Sequence, residues 1–423
     1  MNQQETLLPA AVASSARQNC DVLIIGAGPA GSAAARVLAQ HGLHVVLADQ
    51  HEFPREKVCG DGLIPDAHKA LARLGLLDAV MAKAQACAHV ACIGPRGGRV
   101  DVPGEVAVLP RAELDLILFE GACAAGAQAL VPARMLSMLE DAQGRVSGAR
   151  LRQGQSEFEI NAGWTILATG AAAQPLIASG MCTRQVPHAM ALRGYVKNPA
   201  MVGHIKALEG VWHKKLRPGY GWIFPCREGV FNIGVGLVHS HDAGHKNAAK
   251  HSMKDVNLRH LFDAFCEFYA PARELMAGGQ MLGPLKGAPL RCSLEGARWS
   301  RPGLLVAGEA AGSTYSFTGE GIGKALETGM LAAETIIANR ENDENARSTY
   351  EAALHALKPR FALYERANKV NEHPWLADLL IWRANKNPAL VRRMSGVLDE
   401  TSNPGSLVSL RGIAKLFMPA KSV

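Results

Sequence analysis

No two of the nine cysteines stand in a Cys-x-x-Cys pair; they are scattered at positions 20, 59, 87, 92, 123, 182, 226, 266 and 292. An odd number at such wide spacing argues against a disulfide framework and against a zinc site, and fits reduced thiols in a cytoplasmic protein. No apolar run reaches the roughly 18 uninterrupted residues that a membrane-spanning helix requires. The apolar stretch at 7–13 is shorter still and has no basic segment before it, so residues 1–19 read as a flexible leader, not an export signal. Aromatic residues make up only 5% of the chain, and its cations form no dense run interleaved with them. A net charge of +7 therefore does not indicate a nucleic-acid partner. Internal repeats and low-complexity tracts are missing as well, which excludes solenoid and fibrous architectures.

What is present is a chain of 423 residues, 48% hydrophobic, long enough for two or three domains. Residues 20–25 form a short β-branched run, followed at once by Gly26-Ala27-Gly28-Pro29-Ala30-Gly31 and a small-residue segment, 32–40, that reads as helix. Gly26 permits a tight turn, Gly28 lets the backbone approach a pyrophosphate, and Gly31 lets the helix pack closely on the strand. The helix N-terminus then offers free amides and a favourable dipole to the phosphates. A second strand over 45–47 ends at Asp49, an acid placed to accept from a ribose 2′-hydroxyl. Its charge would repel a 2′-phosphate, so the ligand of this turn is FAD or NAD, not NADP.

Three further segments decide between those two. They are Pro54-Arg55-Glu56-Lys57-Val58-Cys59-Gly60-Asp61-Gly62-Leu63, Gly219-Tyr220-Gly221-Trp222-Ile223-Phe224-Pro225, and Leu304-Leu305-Val306-Ala307-Gly308-Glu309-Ala310-Ala311-Gly312 leading into Thr318-Gly319-Glu320-Gly321-Ile322-Gly323. With the N-terminal turn they resemble the geranylgeranyl reductase family of flavoproteins, within the larger aromatic-hydroxylase-like superfamily, over roughly residues 18–340. The resemblance implies a Rossmann-type α/β FAD-binding domain built from separate segments, an inserted β-sheet substrate domain over the flavin, and a helical C-terminal region. The expected boundaries are a leader over 1–19, FAD-binding segments over 20–85, 111–180 and 301–340, substrate-domain segments over 86–110 and 181–300, and C-terminal helices over 341–423. Residues 188–197 and 210–237 carry strand-like runs and 248–278 reads as helix, in keeping with that order.

By the same resemblance Glu309, standing where the family usually has Asp, faces the FAD ribityl chain. Gly308, Gly319, Gly321 and Ile322 lie beside the pyrophosphate and ring. Arg111, opening Arg-Ala-Glu-Leu-Asp-Leu, contacts FAD, and Gly170 ends the strand that closes the nucleotide fold. Lys57, Cys59 and Gly60 belong to the segment folded over the flavin. No metal site is expected.

FAD would carry the redox chemistry, leaving the protein to hold substrate against the ring and exclude water. Tyr220, Trp222 and Phe224 alternate along a strand and share one face, which the resemblance makes the lining of an apolar substrate cavity. Hydride delivery to an isolated alkene leaves a carbon that must take a proton, and Cys59, Tyr220 and Glu320 are the candidate acids. No second Gly-x-Gly-x-x-Gly follows a strand, so NAD(P)H or another reduced carrier would dock transiently as electron donor. The leading expectation is reduction of carbon–carbon double bonds in an isoprenoid or polyene. A monooxygenase or halogenase on the same scaffold is the first rival; the Tyr-x-Trp-x-Phe-Pro segment lacks the first Trp of the halogenase Trp-x-Trp-x-Ile-Pro. A non-catalytic flavin-bound scaffold is the other. From His373 onward seven Lys or Arg outnumber three Asp or Glu. With Trp375, Leu376, Leu379, Leu380 and Trp382 they raise the alternatives of a solvated helical face or a peripheral contact with the inner face of a membrane.

Overall fold

The computed structural model describes residues 18–238 and 257–407. Its first sheet has a parallel core in the order Leu304–Val306, Ser156–Leu167, Gln18–Ile25, Val45–Ala48 and Gln128–Leu130. A parallel sheet is covered on both faces, and two of its strands, Val45–Ala48 and Leu304–Val306, are accordingly buried at every residue. Alternation decides which layer each residue joins. Val22 and Ile24 pack with the helical layer, beside Ala30, Ala34 and Leu38 of the helix Pro29–Gln40. Leu23 and Ile25 join the opposite layer, formed with the hairpin Arg134–Glu140 and Val146–Gln153 and with Leu176.

The second sheet is mainly antiparallel, in the order Gln280–Met281, Ala189–Lys197, Val230–Val238, Gly219–Pro225, Leu208–Val211, Gln85–Ile93, Arg99–Val108 and Gly62–Leu63; Lys286–Leu290 also joins Ala189–Lys197. The pairing of Leu208–Val211 with Gln85–Ile93 is parallel. Phe262, Phe265 and Leu275 cover one face of this sheet, packing on Ile223, Phe231 and Ile233. They come from two helices, Leu258–Phe268 and Ala270–Ala277, where the sequence reads as one helix over 248–278. Tyr269 is extended between them, and Pro271 in the second helix's first turn has no N–H with which to continue the first. Residues 248–256 of that segment lie outside the described residues.

The C-terminal helices are Asp343–Ala367, Lys369–Glu372, Trp375–Ala384, Pro388–Leu398 and Pro404–Leu407; the breaks at Pro374, Pro388 and Pro404 begin new helices as proline does. Leu376, Leu380 and Ile381 bury against Val100 and Val102 of the second sheet. Of the leader expected over 1–19, residues 1–17 lie outside the described residues, and Gln18 and Asn19 already belong to the first strand. All nine cysteines are free thiols.

Candidate active site

The glycine turn, Asp49, Gly170 and Gly308 all follow the carboxyl ends of parallel strands, the edge at which open α/β sheets bind ligands. Gly26 has φ +103°, and a Cβ there would sit 2.4 Å from the Ala168 carbonyl oxygen, so only glycine makes this turn. The helix Pro29–Gln40 begins after Gly28 with no side-chain cap, leaving its first amides for a ligand. Gly308 is equally constrained: its Cβ would fall 2.6 Å from that of Ala30, which explains why both positions hold the smallest residues.

Cations converge on the same edge. A Cβ on Gly28 would meet only the guanidinium ends of Arg55 and Arg111, at 3.3 and 4.0 Å. Arg111 is buried in a bidentate pair with Asp115, at 2.6 and 2.9 Å, and Arg55 bridges Asp115 and Asp49, at 3.3 and 3.6 Å. The Nε of Arg55 is buried with no hydrogen-bond partner among the described residues. A cradle of open amides and two guanidiniums, one of them with an unsatisfied donor, fits a pyrophosphate. Asp49 accepts from Ala27 N at 2.8 Å and His51 N at 3.0 Å, which holds it at the rim. Glu309 lies across from Lys57, 3.8 Å away, and near Gly170.

Where the two sheets meet, Tyr220, Trp222 and Phe224 do share one face, with successive ring centroids 6.1 and 6.4 Å apart. Gly60 packs on that ladder, since a Cβ there would lie 3.2 Å from Phe224 and 3.6 Å from the Trp222 indole nitrogen. Tyr220 donates its hydroxyl proton to the Thr318 carbonyl, beside Gly319. Trp212 extends the ladder, 5.7 Å from Tyr220 and 6.3 Å from Phe317. Asn371 of the C-terminal region ties Trp212 Nε1 to the Phe317 carbonyl. Ile322 opens the helix Ile322–Ala338, and Gly321 packs on Thr314 before it. The structure thus gathers Gly26, Gly28, Ala30, Gly31, Asp49, Arg111, Gly170, Gly308, Glu309 and Lys57 at one edge, and Cys59, Gly60, Tyr220, Trp222, Phe224, Gly319 and Glu320 beside it.

Several residues in these surroundings are not singled out by sequence reasoning. Asp61 is fully buried with φ 65° and accepts from Tyr195 Oη at 2.5 Å, Asn232 Nδ2 at 2.7 Å and Arg111 N at 3.2 Å. Asn232 also holds the Cys59 carbonyl and the Trp222 indole, so one amide joins the loop over the flavin edge to the aromatic wall. A Gly-Asp-Gly triplet was the available signal for Asp61; Tyr195 and Asn232 carry none, being single polar residues inside strands.

Burial dominates the titration of this region. It pushes the Asp61 carboxyl up to about 6, against the Tyr195 and Asn232 hydrogen bonds that favour its charged form. Burial, and then the neighbouring Asp66, push Glu320 up to about 8, so its carboxyl is protonated at neutral pH. Burial also raises the Cys59 thiol, with Arg111 opposing, and raises the Tyr220 phenol well above its ordinary value.

Fold and site together define a dinucleotide-binding flavoprotein with an aromatic wall on its second sheet. The comparisons agree. Residues 19–180 match the family model described as FAD binding domain. A menaquinone reductase of Mycolicibacterium smegmatis is 32% identical over 76% of this chain and 78% of its own length. A digeranylgeranylglycerophospholipid reductase of Methanosarcina mazei is 29% identical over 74% of each chain. A geranylgeranyl bacteriochlorophyll reductase-like protein of Thermoplasma acidophilum superposes with a TM-score of 0.73 at 22% identity, covering 95% of this chain and 96% of that one. The chain belongs to the geranylgeranyl reductase family and is an FAD-dependent oxidoreductase.

Proposed function

We propose that the protein reduces carbon–carbon double bonds of an apolar isoprenoid or polyene chain held against the Trp212, Tyr220, Trp222 and Phe224 wall. The observation that carries this reading is the ladder of Trp212, Tyr220, Trp222 and Phe224 on one sheet face, tied through the Tyr220 hydroxyl to the Thr318 carbonyl in the segment that leads into the helix Ile322–Ala338 at the FAD edge. The names of the relatives, a menaquinone reductase and a digeranylgeranylglycerophospholipid reductase, support the substrate class.

FAD, once bound and reduced by the electron donor, would supply the hydride and be left oxidised. Arg55, Arg111 and the open amides after Gly28 hold its phosphates, and Lys57, Glu309 and Gly170 border the segment beyond. The aromatic wall orients the apolar chain and excludes water. Of the three candidate acids, Glu320 fits the proton donor best: it holds a proton at neutral pH and gives it up more readily than either alternative. Tyr220 has its proton committed to the Thr318 carbonyl and a raised pKa, so it serves as wall. Cys59 has its thiol raised by burial, and its carbonyl is joined to the Trp222 indole through Asn232, so it serves to hold the loop beside the wall. Electrons come from NAD(P)H or another reduced carrier docking transiently at the flavin edge.

No described helix is long and apolar enough to cross a membrane. We assign the approach of an apolar substrate to the helix Trp375–Ala384. It exposes Trp375 and Trp382, two turns apart at 58% and 45%, with Lys386 over the Trp382 ring at 4.7 Å and Arg392 and Arg393 exposed nearby. Aromatic and basic side chains side by side suit an anionic membrane surface.

Comparison of the lipids and quinones of a deletion strain with those of its parent tests the function. A parental compound replaced by one lighter by two hydrogens per bond is the expected result. A compound lacking one oxygen or one halogen instead would assign the chain to the oxygenase or halogenase reading.

A further inference from the structure

The row of rings does not end at Tyr220. It continues to Trp212, 5.7 Å away between centroids, and from Trp212 to Phe317 at 6.3 Å, with those two planes only 19° apart. Tyr220, Phe224, Trp212 and Phe317 each keep part of their surface exposed, whereas Val211, Ile223 and Ile233 of the same sheet are buried. Rings that served only as core would be buried with them. One end of the row lies against the loop expected over the flavin, since a Cβ on Gly60 or Gly62 would meet the Phe224 ring at 3.2 or 3.4 Å. The other end lies against the C-terminal helices, where Trp212 and Phe317 pack beside Val370, Leu376 and Leu380.

That far end is locked by two buried amides. Asn371, 1% exposed, accepts from Trp212 Nε1 at 2.8 Å and donates to the Phe317 carbonyl at 3.2 Å and to Asn368 Oδ1 at 3.0 Å. Asn368 donates in turn to Ser316 Oγ at 2.9 Å. The Asn371 side chain is thus engaged at its oxygen and twice at its nitrogen, and the indole cannot turn without leaving a buried polar group unpaired.

We propose that Trp212 and Phe317, fixed by Asn371, form a distal subsite for the part of an isoprenoid chain that extends past Tyr220, and that the protein selects chain length there. The inference rests on the reading of the aromatic wall as the apolar-chain site and adds the place where length is sensed. The occupant follows from continuity: the distal rings prolong the same row that begins at the flavin loop, and Phe317 is followed at once by Thr318, whose carbonyl holds the Tyr220 hydroxyl. A chain long enough to lie on Trp212 and Phe317 buries more apolar surface than one that ends at Tyr220, and its affinity gains in proportion. Because the two rings are already held in place, that gain is not offset by ordering them.

Calorimetric binding of saturated isoprenoid alcohols, from tetrahydrogeraniol up to phytanol, to the FAD-loaded protein tests the subsite apart from the reaction, because these chains have no double bond to reduce. Wild-type affinity is expected to rise through the whole series. Phe317→Ala should weaken phytanol about tenfold and tetrahydrogeraniol less than about twofold. Trp212→Ala should likewise weaken phytanol, and Trp212→Phe, which keeps a ring at that point, should recover part of the loss. If the alanine variants do not fold, phytanol carrying a photoreactive diazirine at one end or the other keeps the test on the wild-type chain: one of the two probes should label Trp212, Phe317 or Asn371. Equal weakening of long and short probes by Phe317→Ala, the mark of a merely structural role, would overturn the subsite, as would labelling that stops short of Trp212 from both ends. Length-dependent binding without anaerobic reduction of a polyprenyl substrate would instead remove the reductase reading and leave the subsite standing. A wild-type protein that binds none of the alcohols would remove the apolar-chain site and the subsite together.

Discussion

Replacing Gly31 and Gly28 by alanine separates a glycine required by the fold from one required by the ligand. A Cβ on Gly31 would sit 1.8 Å from the Gly26 carbonyl oxygen, whereas real Cβ atoms essentially never come within 3.0 Å of a heavy atom. The helix Pro29–Gln40 would have to retreat from the turn by about 1.2 Å, and it is packed against the helix Ile322–Ala338 with no slack behind it. Alanine gains about 1 kcal/mol over glycine in a helix interior. Overpacking against backbone costs about 1–3 kcal/mol and more when the neighbour cannot yield, so the net effect is a loss. Gly28 has an ordinary φ of −77°, and its Cβ would meet only the flexible ends of Arg55 and Arg111. Gly28→Ala is expected to leave the FAD-free protein within about 0.5 kcal/mol of wild type. Its methyl and the displaced guanidiniums nevertheless occupy the pyrophosphate approach, lowering FAD affinity at least tenfold. Denaturant unfolding of FAD-stripped protein, paired with FAD titration followed by flavin fluorescence, checks both halves. Gly31→Ala with wild-type apo stability, or Gly28→Ala with wild-type FAD affinity, would refute the reasoning.

Asn232→Leu strips one acceptor from Trp222 Nε1 and one donor from Asp61, and is expected to destabilise by about 2–4 kcal/mol, read by chemical denaturation. Gly234→Ala would place a methyl 2.3 Å from the Trp222 ring and 2.6 Å from the Leu192 carbonyl oxygen, so chemical denaturation should show a loss of stability, with KM for a polyprenyl substrate raised severalfold in the folded fraction. Because the Asp66 carboxyl is held up to about 7, the folded protein keeps that proton across pH 4 to 7, where the unfolded chain has lost it. Stability contributed by the neutral group is present at low pH and falls as pH rises towards 7, so wild type should lose stability relative to Asp66→Asn over that window and run parallel to it above. Replacing Trp375 and Trp382 by serine should abolish flotation with anionic liposomes at low salt without changing FAD content; unaltered flotation would remove this helix as the contact.

The nucleotide half of the molecule was legible because its constraints are local. Gly26, Gly28 and Gly31 stand in one turn, Asp49 at the end of the next strand, and buried parallel strands show as unbroken apolar runs. The alternation of Tyr220, Trp222 and Phe224 likewise announced a shared face. Trp212, Phe317 and Asn371 were not legible: they join the pocket only when the C-terminal helices fold back over the second sheet, across more than 150 residues of chain for Trp212 and Asn371. Arg55 stood within a recognised segment, yet its role follows from Asp49 and Asp115, which meet it only in the folded state. Asp66 and Glu400 look like ordinary surface acids in sequence; burial raises the Asp66 carboxyl, while Lys324, Tyr315 and Arg360 outweigh burial and hold Glu400 below the usual carboxylate range.

The most direct test of the central claim is anaerobic stopped-flow oxidation of the reduced enzyme by a polyprenyl substrate, with mass analysis of the product. The flavin absorbance should return without oxygen, and the product should be heavier by two hydrogens for each bond reduced. Glu320→Gln should retain FAD and slow this step more than tenfold. Reoxidation only after oxygen is admitted, with a product carrying oxygen or halogen, would contradict the reductase assignment while leaving the FAD fold in place.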